Sequence, residues 1–278
     1  MTDDELTIGI LLGEPVMQRW ALEAVETAIR DASVSVAQVI LPPADSTADT
    51  KTAGSSIPWQ RYAAAAREYG AWTPVMAWHQ LASTPWYLEK IPLEDRAWFE
   101  DVEIVRARPE PAEGIGNRLP ATAIERIESA ELDLLFRRGF GIIKGDVLSA
   151  PTHGVLSYHH GNIREYRGRS PGVWEFANDE QTAGVTLQRL TSTLDGGEIV
   201  VEKTVDIAGC RTWQGVRQRL FDSSTDMLAT ACTRLEDPDF GPTHTDELGP
   251  LYTCPGLVDT VRIELKNVRG KLRNHIAE

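Results

Sequence analysis

"LTIGILLGEPVMQRWALEAVETAIRDASVSVAQVIL" (Leu6–Leu41) decides the architecture of the chain. Leu6–Leu12 is an apolar run of strand length, and Gly13-Glu14-Pro15 stops it. From Met17 to Asp31 the residues Trp20, Leu22, Val25 and Ile29 fall roughly on one helical face. Val34–Leu41 is a second strand, ended by Pro42-Pro43. Strand, helix and strand in this order predict parallel pairing through a right-handed crossover.

Outward from this unit the pattern continues. Residues 44–57 are small and polar and read as a loop, and Trp59–Tyr69 reads as a helix. Trp72, Trp78, Trp86 and Trp98 stand among prolines and charges, which points to a packed insertion over about 44–101. Val102–Ala107 is a strand, Ala121–Ala130 a helix, and Leu132–Phe136 a buried strand. A glycine turn and a short helix then lead to a strand at Gly154–His159, and Pro171 opens a helix reaching Asn178. Val185–Leu190 and Gly197–Val205 are strands. Thr212 is placed to cap a long helix reaching Leu235, residues 238–255 are loop, and Gly256–Arg273 reads as a basic helix or tail. The expectation is an α/β fold, with a mainly parallel twisted sheet flanked by helices. One catalytic domain runs to about residue 208 and a helical extension covers 209–278.

Composition narrows the function classes. Hydrophobic residues make up 42% of 278, enough for a substantial core. No long apolar run and no basic-then-apolar leader is present, so neither a membrane span nor a signal peptide is expected. Cys210, Cys232 and Cys254 have no CxxC spacing, which argues against a disulfide framework and a zinc site and favours a reducing, cytoplasmic setting. The net charge of −13 argues against broad electrostatic binding of nucleic acid. No HExxH or Walker A pattern occurs, and "GFGIIKG" has Lys144 where a dinucleotide fingerprint needs its third glycine.

The segment that carries chemistry is "GVLSYHHGNIREYRG" (Gly154–Gly168). It places His159 near the C-terminal end of a strand, the edge of an open α/β sheet where ligands bind. Asp195 follows in "TLDGG", in a turn between strands. Alone, a strand histidine is more often structural and a turn aspartate ordinary. Alternation along the strand points His160 opposite His159.

Ser157-Tyr158-His159, Tyr166-Arg167-Gly168, Gly184-Val185-Thr186 and Asp195-Gly196-Gly197 together resemble the folate-dependent formyltransferase family. That group includes the methionyl-tRNA and glycinamide ribonucleotide formyltransferases. The resemblance covers roughly residues 132–208, including the spacing from His159 to Asp195. Ser157 stands where the family has a catalytic asparagine, and the loop after His159 departs from the family's Ser and Pro.

The resemblance implies a Rossmann-like formyltransferase fold. It also implies an enzyme that moves a formyl group from 10-formyltetrahydrofolate to an amine. His159 would stabilise the oxyanion and move the proton, Asp195 would orient it, and Ser157 would be a second oxyanion donor. The pterin would lie against the backbone of Arg138, Gly139, Phe140, Gly141, Ile142 and Ile143 and the loop holding Thr193. His160 and Asn162 would face the acceptor, and Arg167 would bind an acceptor phosphate or hold its own loop. No metal is implied. The acidic charge, and a segment at 209–278 unlike the barrel of the tRNA enzymes, favour a small-molecule amine such as an amino-sugar nucleotide and set tRNA aside. Formyltetrahydrofolate hydrolysis, and a silent folate- or partner-binding relative, are the alternatives. Nothing in the sequence sets an oligomeric state.

The basic residues are nearly all arginine; the lysines are Lys51, Lys90, Lys144, Lys203, Lys266 and Lys271. An acid-rich, lysine-poor surface suits concentrated salt, where self-repulsion is screened. The melting temperature is expected to rise from low to molar KCl in a thermal scan; a flat response would refute salt adaptation.

Overall fold

The computed structural model describes residues 5–44, 69–75, 84–193, 196–245 and 247–277. The main sheet is built from β1 (Leu6–Leu11), β2 (Val34–Leu41), β3 (Glu103–Arg106), β4 (Leu134–Arg137), β5 (Val155–His159), β6 (Thr182–Arg189) and β7 (Glu198–Asp206). Their order across the sheet is β7-β6-β5-β4-β1-β2-β3. The five strands from β3 to β5 are parallel, and β6 and β7 join antiparallel at one edge. The chain order reverses direction at β1 and β4, which opens crevices beyond the carboxyl ends of those strands.

Strand alternation sends side chains to two layers. Ile8, Ile10, Phe136, Leu156 and Tyr158 enter the larger core, under helix α1 (Arg19–Asp31). Leu11, Ile40, Leu135 and Val155 enter the smaller one, under helix α2 (Ala121–Ser129). Continuous burial on both faces explains why β1 and β4 lack polar alternation.

Helix α1 starts at Arg19 rather than Met17. Val16–Gln18 is drawn into antiparallel pairing with Lys90–Pro92, and this fastens part of the expected insertion to the first βα turn. Within that insertion Trp72 is fully buried, against Trp213 at 5.3 Å between ring centroids, while Trp86 is exposed. The helix expected at Trp59–Tyr69 lies, but for Tyr69, outside the described residues, as does Trp78.

Helix α3 (Val173–Ala177) follows. The long helix expected from Thr212 is two: α4 (Trp213–Asp222) and α5 (Met227–Leu235). Thr212 caps α4, its Oγ1 accepting from the Gly215 amide at 3.2 Å. The break holds Ser223-Ser224-Thr225-Asp226, residue types that bond locally and favour helix ends. It is bonded to the core, since the Ser224 carbonyl accepts from the Tyr158 hydroxyl at 2.7 Å. Helices α4 and α5 share the larger core with α1, β6 and β7 rather than extending away from it.

Helix α6 (Leu257–Ala277) buries Thr260, Ile263, Asn267 and Gly270 against the body. Asn267 Oδ1 accepts from the Trp213 backbone amide at 2.8 Å, which satisfies the first amide of α4. An alanine methyl at Gly270 would lie 1.7 Å from the Arg211 carbonyl, so only glycine allows this approach. Ahead of α6, Leu251–Tyr252 pairs in parallel with Arg167–Gly168, inside a stretch expected to be loop.

Glu175 on α3 is 3% exposed, and its Oε1 has no hydrogen-bond partner. Burial, with the charges of Glu180 and Glu165 adding to it, pushes its carboxyl up to about 7. The native state therefore holds this proton where the unfolded chain has lost it. Stability from this group falls as pH rises from about 4 to about 7, then levels off. Glu175→Gln is expected to flatten that slope. It should stabilise the protein by on the order of 2–3 kcal/mol at about pH 8 and leave it near wild type at about pH 4. Urea unfolding at both pH values checks this; a variant less stable at both refutes it.

Candidate active site

The site gathers at the carboxyl edge of β4 and β5. Register aligns β5 and β6 so that Ser157 lies opposite Gln188 and His159 opposite Thr186. These residues share a face with Val155, beyond the layer that α2 covers. Arg137, the last residue of β4, reaches across and donates to Ser157 Oγ through Nε at 3.3 Å and Nη2 at 3.1 Å. Its Nη1 donates to the Gly141 carbonyl. A guanidinium therefore stands beside the position where the family pattern has asparagine.

His159 is buried, with Nε2 2.8 Å from the Tyr166 carbonyl. A carbonyl only accepts, so Nε2 carries the hydrogen and Nδ1 holds the lone pair when the ring is neutral. Tyr166 is held in turn, its hydroxyl donating to Glu180 at 2.8 Å and accepting from Asn178 at 3.1 Å. Gly161 closes the turn over the ring; a methyl there would lie 2.7 Å from His159 Nε2.

Two crevices flank this edge. The first, of about 300 Å³, is lined by Arg137, Ile142, Ile143, Lys144 and Leu190–Thr193, with Ile115 at its rim. Its floor is fixed by the hairpin of Glu110–Pro111 and Asn117–Arg118: the Asn117 amide donates to the Ile142 carbonyl at 2.7 Å, and Asn117 Nδ2 to the Phe140 carbonyl at 2.9 Å. The opposite wall is the turn after β6. There Gln188 Oε1 accepts from the Gly197 amide at 2.9 Å, and the Gly196 amide donates to the Thr193 carbonyl at 3.3 Å. A methyl on Gly197 would sit 2.3 Å from the Arg189 carbonyl. Asp195 lies outside the described residues.

The second crevice, of about 200 Å³, is lined by Leu12, Gly13, Glu14, Met17, Gln18, Lys90 and Arg138. The run Arg138–Ile143 is thus divided. Ile142 and Ile143 face the first crevice with Thr193, while Arg138 faces the second. The Arg138 guanidinium stacks 4.4 Å over Trp20 and donates to Gln18 Oε1 at 3.0 Å; burial, then the Arg137 charge, lowers its pKa to about 10. Gly139 packs on the first βα turn, where a methyl in place of its hydrogen would lie 2.2 Å from the Gly13 nitrogen. Phe140, with φ of 64°, and Gly141, also at 64°, make the turn between the crevices.

The other three sequence candidates hold the scaffold. His160 does point away from His159. Its ring lies 4.2 Å from Phe221 and 4.9 Å from Trp20, and Nε2 is 2.9 Å from Ser224 Oγ. Burial and the Arg138 charge hold its pKa well below the usual histidine range. Asn162 Oδ1 accepts from the Arg164 amide at 3.0 Å, and the loop packs on Gly184. Arg167 Nε donates to the Gly249 carbonyl at 2.6 Å, tying its loop to the segment before α6. Sequence reading missed Arg137 and Gln188. The apolar strand run ending in "RR" and the alternation Thr186-Leu187-Gln188 were their signals, each too common to single out.

Among the described residues no group of His, Cys, Asp and Glu is placed to hold a metal, and no helix is long and apolar enough to cross a membrane.

The family model described as formyl transferase matches residues 18–232. Methionyl-tRNA formyltransferase of Thermotoga neapolitana is 34% identical over 116 residues, 41% of this chain and 37% of the relative. The chain thus matches little more than a third of that relative's length. Among solved structures, glycinamide ribonucleotide transformylase 1 from Symbiobacterium toebii superposes with a TM-score of 0.54 at 17% identity, covering 90% of this chain and 96% of that one. An N-formyltransferase from Helicobacter canadensis, in complex with folinic acid and dTDP-3-aminofucose, gives 0.50 at 12% identity, covering 89% and 70%. The Thermotoga relative corrects one expectation: net charge does not set tRNA aside as a partner. Charge is a global sum, and α6 alone carries Arg262, Lys266, Arg269, Lys271 and Arg273 on an otherwise acidic chain. With the family model spanning most of its length, the chain belongs to the formyl transferase family.

Proposed function

We propose that the chain transfers the formyl group of 10-formyltetrahydrofolate to an amine. The observation that carries this reading is the row of His159, Ser157 and Arg137 on one sheet edge, beside a crevice walled by Ile142, Ile143 and Thr191–Thr193. Backbone amides and carbonyls along those walls suit the lactam-like edge of a pterin. The Helicobacter canadensis complex holds a folate and an amino sugar together on the same fold, which supports the pairing of donor and amine.

In the reaction the amine nitrogen bonds to the formyl carbon, and the carbonyl electrons move to oxygen. The C–N10 bond then breaks, and one proton passes from the amine to N10. His159 Nδ1 takes and returns that proton, because Nε2 is committed to the Tyr166 carbonyl. Ser157 Oγ accepts from Arg137, which turns the Ser157 hydrogen outward as an oxyanion donor; the Arg137 charge strengthens it. Asp195, 36 residues after His159 and part of the same signature, assists the proton relay through water. His160, Asn162 and Arg167 set the loop rather than touch the acceptor.

Two acceptor classes remain in play. The aminoacyl end of a charged methionyl-tRNA is the first, on the strength of the curated relative, and a small amine such as an amino-sugar nucleotide is the second.

Tetrahydrofolate release, followed with each acceptor and with none, tests the reading. Amine-dependent release supports transfer; formate release without an amine would replace it with hydrolysis. Folate binding with neither would leave a silent relative. His159→Ala is expected to lower kcat by about 10²–10⁴-fold with folate binding intact. Ser157→Ala and Arg137→Ala are each expected to cost about 10²-fold, and the double variant little more, since one donor acts through the other. Independent, additive losses would refute the linkage.

A further inference from the structure

Helix α6 has two faces. Thr260, Ile263, Asn267 and Gly270 are buried on the body. On the opposite side Val258, Val261, Leu265, Val268 and Leu272 are each more than half exposed. Their spacing is three, four, three and four residues, the a/d repeat of a helix that packs along another helix. The body uses the c and f positions, so the a/d stripe is free of intramolecular work. Isolated exposed leucines need no explanation, but a continuous stripe at this period does.

The residues flanking the stripe identify its occupant. Glu264 and Lys271 stand at g, and Arg262 and Arg269 at e. Charged flanks leave a narrow apolar seam that fits one partner helix. In a parallel, in-register pair each g residue faces the e′ residue five positions on. Glu264 of one copy, whose Oε1 accepts from its own Asn267 Nδ2 at 2.9 Å, then meets Arg269 of the other through its second oxygen, twice by symmetry, with no like-charge pair. An antiparallel pair would match Glu264 to Lys271 but set Arg262 against Arg269. The body of each copy lies on the far side of its helix, where it does not obstruct the seam.

We propose that α6 is a self-association surface and that two copies of this chain pair through it as a parallel coiled coil. The seam covers only about two heptads, too few for an isolated peptide to pair. Here the helix is already held by the body, so its ordering is not charged to association.

The test is the mass of the full chain in sedimentation equilibrium at tens of micromolar. Twice the chain mass is expected. Leu265→Asp should give a folded monomer, judged by unchanged far-ultraviolet dichroism. Glu264→Arg alone and Arg269→Glu alone should each weaken the dimer by roughly tenfold or more, and mixing the two should restore it, because each then meets its complement. A monomer at all concentrations overturns the proposal and leaves the stripe to another partner. A dimer untouched by Leu265→Asp overturns it by placing the interface elsewhere. A dimer strengthened by Arg269→Glu overturns the parallel arrangement.

Discussion

The antiparallel register between β5 and β6 is the constraint on which the site depends. It sets His159 against Thr186 and Ser157 against Gln188. A slip of one residue would turn His159 and Ser157 into the core and bring Tyr158 out to the crevice. The register is protected from both sides. Tyr158 is committed to the aromatic cluster and to the Ser224 carbonyl, and the Thr186 hydroxyl donates to the Gly161 carbonyl at 3.0 Å. The larger core therefore determines, through alternation along one strand, which side chains reach the reaction edge.

That edge is built from neighbours far apart in sequence. Arg137 comes from a parallel strand, Gln188 from an antiparallel one, and the crevice floor from a hairpin near residue 117. Gln188 acts through the backbone: by holding the Gly197 amide it fastens the turn that follows β6. A rigid sheet with short, bonded turns is the arrangement that orients reacting groups at low entropic cost.

Much of this was legible in the residues. Buried parallel strands announce themselves as unbroken apolar runs, so Leu6–Leu11, Val34–Leu41 and Leu134–Arg137 lie close to the runs that predict them. The helix break at Ser223–Asp226 was less visible, because periodicity continues across it and a distant hydroxyl, that of Tyr158, takes the carbonyl it exposes. The division of Arg138–Ile143 between two crevices was not legible. It depends on a left-handed turn at Phe140 and on contact between Gly139 and the first βα turn. Arg137 was hidden for a similar reason: its role is set by a partner twenty residues away.

The bond from the Trp213 amide to Asn267 reaches forward 54 residues. During synthesis β6, β7 and the residues of α4 emerge well before Asn267 does. Until then the first turn of α4 lacks that acceptor, and the part of the larger core that Ile263 joins stays open. The nascent sheet can form in order from its N-terminal strands, but helix α4 has to wait for a late segment to clasp its first turn. Such an order leaves apolar surface around Trp213 uncovered until the last helix has been made.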